Sequence, residues 1–195
     1  MLLRFALALS ALTAAPALAQ TASEAPAPAA QAVKVALDTT AGRIVLELDK
    51  ARAPITTANF LRYVDAGRFN GESFYRSMKF GDGGIVQGGI TSDARKLYPA
   101  IEHEAVSKTG LKHAAGTVSM AAFSPGTAKA DFFILTADAP SFDANFAAFG
   151  KVVEGMDVVK AIQAAPTSPT KGAGVMKGQM LDPVVKITKA SRVTE

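Results

Sequence analysis

The sequence predicts a mainly β protein, an antiparallel barrel or sandwich capped by two α-helices. Three observations predict it. About eight short β-rich runs recur along the chain with turn signals between them. Only two segments carry helical spacing, and strands and helices do not alternate in the βαβ manner of a parallel sheet. Eight strands are enough to close a barrel whose interior is filled by side chains, so a site has to lie on its outer surface.

The chain has 195 residues, about one domain's worth. Met1–Ala19 has a single basic residue, Arg4, an apolar run from Phe5 to Leu12, and Ala17-Leu18-Ala19 before Gln20. That is the pattern of a cleavable secretory signal (residues 1–19), and the run is well short of the roughly 20 residues a spanning helix needs. The expectation is an exported, periplasmic or secreted product cut near Ala19/Gln20, with no stable membrane insertion afterwards. No cysteine follows the junction, which excludes a lipid-anchored form. Residues 20–32 are rich in Ala, Pro and Ser, too poor in large apolar side chains to order themselves, and read as a flexible tether. The folded domain is expected over 33–190, with 191–195 as a tail.

The chain has no cysteine at all, which removes thiol nucleophiles and thiolate metal sites. Losing Arg4 with the leader lowers the Lys+Arg count from 21 to 20 and the formal charge from +4 to +3. The charges are scattered, with no basic run interleaved with aromatics, so nucleic acid is not an expected partner. Nothing resembles an interface helix or coiled coil, and a monomer is expected.

Val33–Thr39 and Arg43–Leu48 read as two strands around the turn Thr40-Ala41-Gly42. Pro54 opens a helix where its missing N–H costs nothing; Phe60, Leu61 and Val64 form the buried stripe, and Gly67 suits a left-handed cap. Phe74-Tyr75-Arg76 and Ile85-Val86-Gln87 read as neighbouring strands joined by a glycine-rich connection. Ile90–Lys112 is long and mostly polar. Its Glu102-His103-Glu104 lacks a second ligand at helical or strand spacing, and His103 reads as a loop histidine, with the other histidine at His113; no metal or cofactor is expected. Thr117–Ala121, Asp131–Leu135, Phe146–Val153 and Val184–Ala190 supply further strands, and Met156, Val159 and Ile162 space a second helix closed by Pro166.

G-x-S-x-G and HExxH motifs are absent, and the glycines at 81, 83, 84, 88 and 89 lack the Lys-Ser/Thr ending of a phosphate loop. What remains is Arg76 and Gln87 beside apolar residues: Met120, Phe133, Phe142 and Phe146. Such a set suits a reaction in which a peptide bond turns without breaking, because a fixed guanidinium favours a twisted amide whose nitrogen has regained its lone pair. On pattern alone, a surface arginine paired with a carboxylate explains Arg76 as well.

Six segments change that balance: Pro54–Phe60 (PITTANF), Phe74-Tyr75-Arg76, Val86-Gln87-Gly88-Gly89, Gly116–Ala121 (GTVSMA), Phe132-Phe133-Ile134 and Phe149–Met156 (FGKVVEGM). From about Val33 to Ala190 the chain resembles the cyclophilin-type peptidyl-prolyl cis–trans isomerases, with its nearest likeness to exported bacterial members. The resemblance implies a closed eight-stranded antiparallel β-barrel capped by two α-helices, in agreement with the independent count. It also implies that Arg76 is the catalytic arginine and that Gln87 orients it or the substrate. Phe133 becomes the floor of a proline pocket with Met120 beneath or beside it. Ile85 stands in place of the family's usual methionine, Phe142 lies just before Asp143-Ala144, and Phe146 takes a position often held by histidine or tyrosine. Ala121 and a backbone group of Ala122 are expected to meet the substrate. The implied partners are proline-containing unfolded or extended polypeptides.

Three departures from the family pattern stand out. Asp131 replaces a glutamine, and a pair with Arg76 would lower turnover. Ser141 replaces a tryptophan, which predicts weak inhibition by cyclosporin. Lys79–Gly84 enlarges the connection between Arg76 and Gln87. The competing expectation is a catalytically weak or inactive module of the same fold that binds peptides, silenced by Asp131.

Overall fold

The computed structural model describes residues 32–193. The leader, most of the tether and the last two residues, Thr194 and Glu195, lie outside them. In chain order the elements are β1 (Ala32–Thr39), β2 (Gly42–Asp49), α1 (Pro54–Asp65), β3 (Ser73–Phe80), β4 (Gly83–Gly89), a one-turn α2 (Val106–Thr109), β5 (Thr117–Met120) and β6 (Phe132–Leu135). There follow β7 (Ala147–Glu154), α3 (Met156–Ala164), the two-residue β8 (Thr167–Ser168) and β9 (Met180–Arg192). Every pairing is antiparallel. The order β1-β2-β7-β5-β6-β4-β3-β9 closes on itself through β1 and β9, giving eight strands in a barrel with β8 added at its margin.

Closure runs further than the sequence reading placed it. Val35 pairs with Arg192 and Ala36 with Ser191, so these two residues, expected in a tail, belong to the barrel seam. Arg192 also reaches across to Asp65 of α1 through two hydrogen bonds of 2.7 Å.

The barrel interior is an aromatic core. α1 has Pro at its start and turns Phe60, Leu61 and Val64 inward. The Phe60 ring lies 5.2 Å from Phe132, edge to face, and 5.2 Å from Phe149; Phe74 meets Phe132 at 5.6 Å. Each such aromatic pair adds about 1 kcal/mol to what its area burial contributes. Gly67, with φ 63°, ends the helix in the left-handed region, and its N–H returns to the Val64 carbonyl. The N-terminus of α1 is capped from afar: the Glu104 carboxylate accepts from the N–H groups of Ile55 and Thr56 at 3.0 and 2.7 Å. That satisfies two orphan donors and puts a negative charge at the positive end of the helix dipole. Within the Glu-His-Glu stretch, then, this carboxylate serves the fold.

Lys79–Gly84, read from sequence as an enlarged connection, is hydrogen-bonded ladder. Lys79 pairs with Gly84 and Phe80 with Gly83, leaving Gly81-Asp82 as a two-residue turn. The hairpin is lengthened, and its end carries Phe80 to within 5.9 Å of Phe142.

Candidate active site

Side chains of directly opposed residues in a sheet share a face. Arg76 pairs with Gln87, Gln87 with Phe133, and Phe133 with Ser119, which sets one row across β3, β4, β6 and β5. The adjacent row of Phe74, Gly88, Phe132 and Met120 faces the other way, into the barrel. Met120 is therefore not a pocket residue. It is 1% exposed within the barrel core, one position off the face that carries Phe133.

A bulge prepares the polar end of the outer row. The register of β3 slips between Phe74 and Arg76 against both β4 and β9, leaving Tyr75 as an extra residue. Bulges re-aim side chains, and here Tyr75 and Arg76 both reach Gln87. Arg76 Nη1 donates to Gln87 Oε1 at 2.8 Å, and Gln87 Nε2 donates to Tyr75 Oη at 2.7 Å. Arg76 Nε donates to Gln179 Oε1 at 2.8 Å, and Nη2 meets Met78 Sδ at 3.3 Å. The five-donor guanidinium thus keeps one N–H on each terminal nitrogen for other partners. Burial draws its pKa below the ordinary value, but the group remains a cation at physiological pH.

The apolar end is a second cluster, separate from the barrel core. Ile85, Phe133, Leu135 and Ala139 are buried in it, and Met78, Phe80, Ala121, Phe142 and Phe146 pack half-buried around them. The Phe133 ring is 2% exposed, met edge to face by Phe142 at 5.7 Å and by Phe146 at 5.2 Å. The structure thus gathers Arg76, Gln87, Ile85, Phe133, Ala121, Phe142 and Phe146 on one outer wall. Ala122 packs instead against the barrel core. Its N–H has no hydrogen-bond partner among the described residues.

Asp131 does not pair with Arg76. No ion pair joins them among the described residues, and the Arg76 donors go to Gln87, Gln179 and Met78. The Asp131 carboxylate stands against the Tyr75 hydroxyl, with Oδ1 buried and without a hydrogen-bond partner. It sits over Gly89, where a Cβ would lie 1.8 Å from Oδ1. Burial pushes its pKa up to about 6; the Tyr75 hydroxyl works against that rise and nearby Glu72 adds to it. Burial and this carboxylate together push the Tyr75 phenol well above its usual value.

His113 lies on the irregular segment before β5, yet it is built into the fold. Its side chain is fully buried and its ring stacks on Phe133, with centroids 6.1 Å apart and planes 20° from parallel. Nδ1 lies 2.7 Å from Asp143 Oδ1, and Nε2 lies 2.9 Å from Ser119 Oγ. As a neutral ring it donates from Nδ1 to the carboxylate and accepts the Ser119 hydroxyl at Nε2. Burial lowers its pKa, against the opposite pull of Asp143. The order Ser-His-Asp is that of an acyl-transfer triad, but Ser119 is 0% exposed and cannot meet a substrate. The three residues brace the floor instead. Sequence reading missed His113, Ser119, Tyr75 and Gln179. Gln179 lies 103 residues from the arginine it holds, so no local spacing pointed to it.

Fold and site together define a single-domain β-barrel protein whose outer wall sets a fixed guanidinium beside an apolar cluster. A family profile described as "Cyclophilin type peptidyl-prolyl cis-trans isomerase/CLD" matches residues 33–192. The chain is 38% identical over 147 residues to peptidyl-prolyl cis-trans isomerase cyp18 of Streptomyces antibioticus, covering 71% of this chain and 87% of that protein. It is 39% identical over 142 residues to peptidyl-prolyl cis-trans isomerase A of Dickeya dadantii, covering 68% and 72%. A crystal structure of a Cryptosporidium parvum cyclophilin type peptidyl-prolyl cis-trans isomerase shares the fold with a TM-score of 0.71 at 22% identity, covering 84% of this chain and 99% of that one. The protein belongs to the cyclophilin-type peptidyl-prolyl cis–trans isomerase family and is an isomerase of that class.

Proposed function

We propose that this isomerase turns X–Pro bonds in exported, unfolded or extended polypeptides by stabilising the twisted amide with Arg76 while the proline ring rests over Phe133. Amide resonance sets a barrier of about 18–20 kcal/mol to that rotation. At the top of the barrier the prolyl nitrogen is pyramidal and basic, so an N–H aimed at it binds the twisted form better than either planar isomer. The observation that carries the reading is the anchoring of Arg76: three partners hold the guanidinium still, and each terminal nitrogen keeps one N–H to offer. The unpartnered N–H of Ala122 is free to meet a substrate carbonyl.

The alternative of a silenced binding module required Asp131 to occupy Arg76, and the partners of Arg76 lie elsewhere. The deciding experiment is NMR exchange on a proline peptide with Arg76→Ala. Exchange catalysis falls at least tenfold while peptide affinity stays within about threefold; unchanged catalysis overturns the proposal. Export is a separate part of it, supported by the Met1–Ala19 pattern. Expression of the full chain in a bacterium and N-terminal sequencing of the extracytoplasmic fraction yields a mature chain starting at Gln20; recovery only in the cytoplasm with Met1 or Leu2 first removes that part.

A further inference from the structure

We propose that Tyr75, beside the buried carboxylate of Asp131, is a positioning residue for the isomerase reaction: it fixes which way the Gln87 amide faces and thereby aims Arg76. The proposal rests on the catalytic role given above to Arg76.

A glutamine amide has a donor end and an acceptor end, and nothing intrinsic decides which faces a neighbour. Arg76 has only donors to offer, so Gln87 supports it only with Oε1 turned toward it, as it is at 2.8 Å. Nε2 then needs an acceptor, and the Tyr75 oxygen supplies one at 2.7 Å. A hydroxyl that accepts from Gln87 has its own proton to place, and the Asp131 carboxylate, whose buried Oδ1 has no other partner, stands beside it as an acceptor. Every donor therefore points one way, from a cation at Arg76 through Gln87 and Tyr75 to an anion at Asp131, and bonds in such a chain strengthen one another. The β3 bulge makes this possible by setting Tyr75 on the side of Gln87 away from Arg76. Gly89 makes room for the carboxylate at the far end, since any side chain there would displace it.

The charged and titratable groups around Asp131 are few. Tyr75 of β3 stands beside the carboxylate and Glu72, just before β3, is near enough to raise its pKa, while Glu72 is itself bound to Lys96 at 2.7 Å. β4 presents the backbone of Gly89, and the segment after β5 presents the Ala121 N–H, which donates to the Asp131 main-chain carbonyl at 2.9 Å. Protonating Asp131 replaces the terminal anion by a neutral acid that can itself donate to Tyr75. The chain of donors then has no fixed direction, and the Gln87 amide is free to turn.

The test compares Tyr75→Phe and Asp131→Asn with the wild-type enzyme by NMR exchange between pH 4.5 and 8, with folding of each variant followed by near-ultraviolet circular dichroism. Tyr75→Phe lowers kcat about tenfold at pH 7.5 with KM within twofold. The wild-type kcat falls on acidification with a midpoint near 6, and both variants lose that limb. A folded Tyr75→Phe variant with wild-type kcat, or one that keeps the acid limb, overturns the inference, as does an Asp131→Asn variant that turns over faster. Arg76→Ala separates the two readings. If it leaves catalysis intact, the role of Arg76 fails; if it abolishes catalysis while Tyr75→Phe changes nothing, only the positioning role fails.

Discussion

Arg76 shows how much of a functional residue is its surroundings. A lysine in its place keeps the charge but cannot bond Gln87, Gln179 and a substrate at once, because an ammonium is a point charge without a planar fork. Arg76→Lys is expected to lower kcat/KM at least tenfold in a protease-coupled assay with the fold unchanged. Asp131 carries the opposite lesson, a functional group that costs stability. Its folded pKa of about 6 lies above the ordinary 3.8, so the native state holds its proton more tightly than the unfolded chain does. Stability from this group is therefore complete below pH 4, declines as pH rises from 4 to 6, and stays low above that. Asp131→Asn is expected to stabilise the protein by about 2 kcal/mol at pH 8 and by nothing at pH 4, measured by urea unfolding at both. Equal effects at the two values would show that the carboxylate is not the cause. The variant is thus predicted to be the more stable and the slower enzyme.

At the level of elements, the strands and both long helices were legible because each carries its own signal: alternation in β2, a proline start and apolar stripe in α1, helical spacing in α3. The bulge in β3 was not, since a bulge is a mismatch of count between two strands and leaves no mark on either. Met120 was misplaced for a related reason. Thr-Val-Ser-Met is buried at every position, so only the pairing of Met120 with Phe132 tells which face it takes. His113 lies 30 residues from Asp143, and nothing local joins them. Their bond ties the segment leading into β5 to the Pro140–Ala144 turn that carries Phe142. His113→Ala removes a buried ring and leaves the Ser119 hydroxyl unpaired, at an expected cost of about 2–4 kcal/mol by denaturant unfolding. The pH dependence at this position runs opposite to that at Asp131. A histidine whose folded pKa is depressed below 6.5 loses stability as pH falls from 6.5 toward that lower value. The wild-type curve below neutrality thus contains two opposed slopes, and the His113→Ala and Asp131→Asn variants separate them. The wall built by Phe80 is also an element property, because two added ladder pairs bring its ring to Phe142. Ser141 is exposed at the start of the same turn and offers cyclosporin no broad ring to pack on. Ser141→Trp is accordingly expected to strengthen inhibition at least tenfold, read from inhibitor titration.

For the whole molecule the decisive fact is closure. A barrel abolishes sheet edges only if its first and last strands meet, and here β1 meets β9 over a register that shifts at Asp38/Thr39 and continues to Arg192. The outer-wall site lies on β3, β4 and β6, with β3 hydrogen-bonded directly to β9. Loosening the seam therefore reaches the Arg76 strand through a single neighbour, while the aromatic core behind Phe132 holds the other side. Ending the chain at Ala190 removes the pairings of Ser191 and Arg192, the Val193 bond to the Lys34 carbonyl at 2.9 Å, and the Asp65 ion pair. The ion pair is exposed and adds little; the ladder bonds are worth about 1 kcal/mol each. The expected loss is about 2–3 kcal/mol, seen as a lower urea midpoint with an unchanged slope. Hydrogen exchange should rise first in β1 and β9 and leave β5 and β6 protected. If exchange instead rises evenly around the barrel, closure is not local to the seam and the whole sheet opens as one unit.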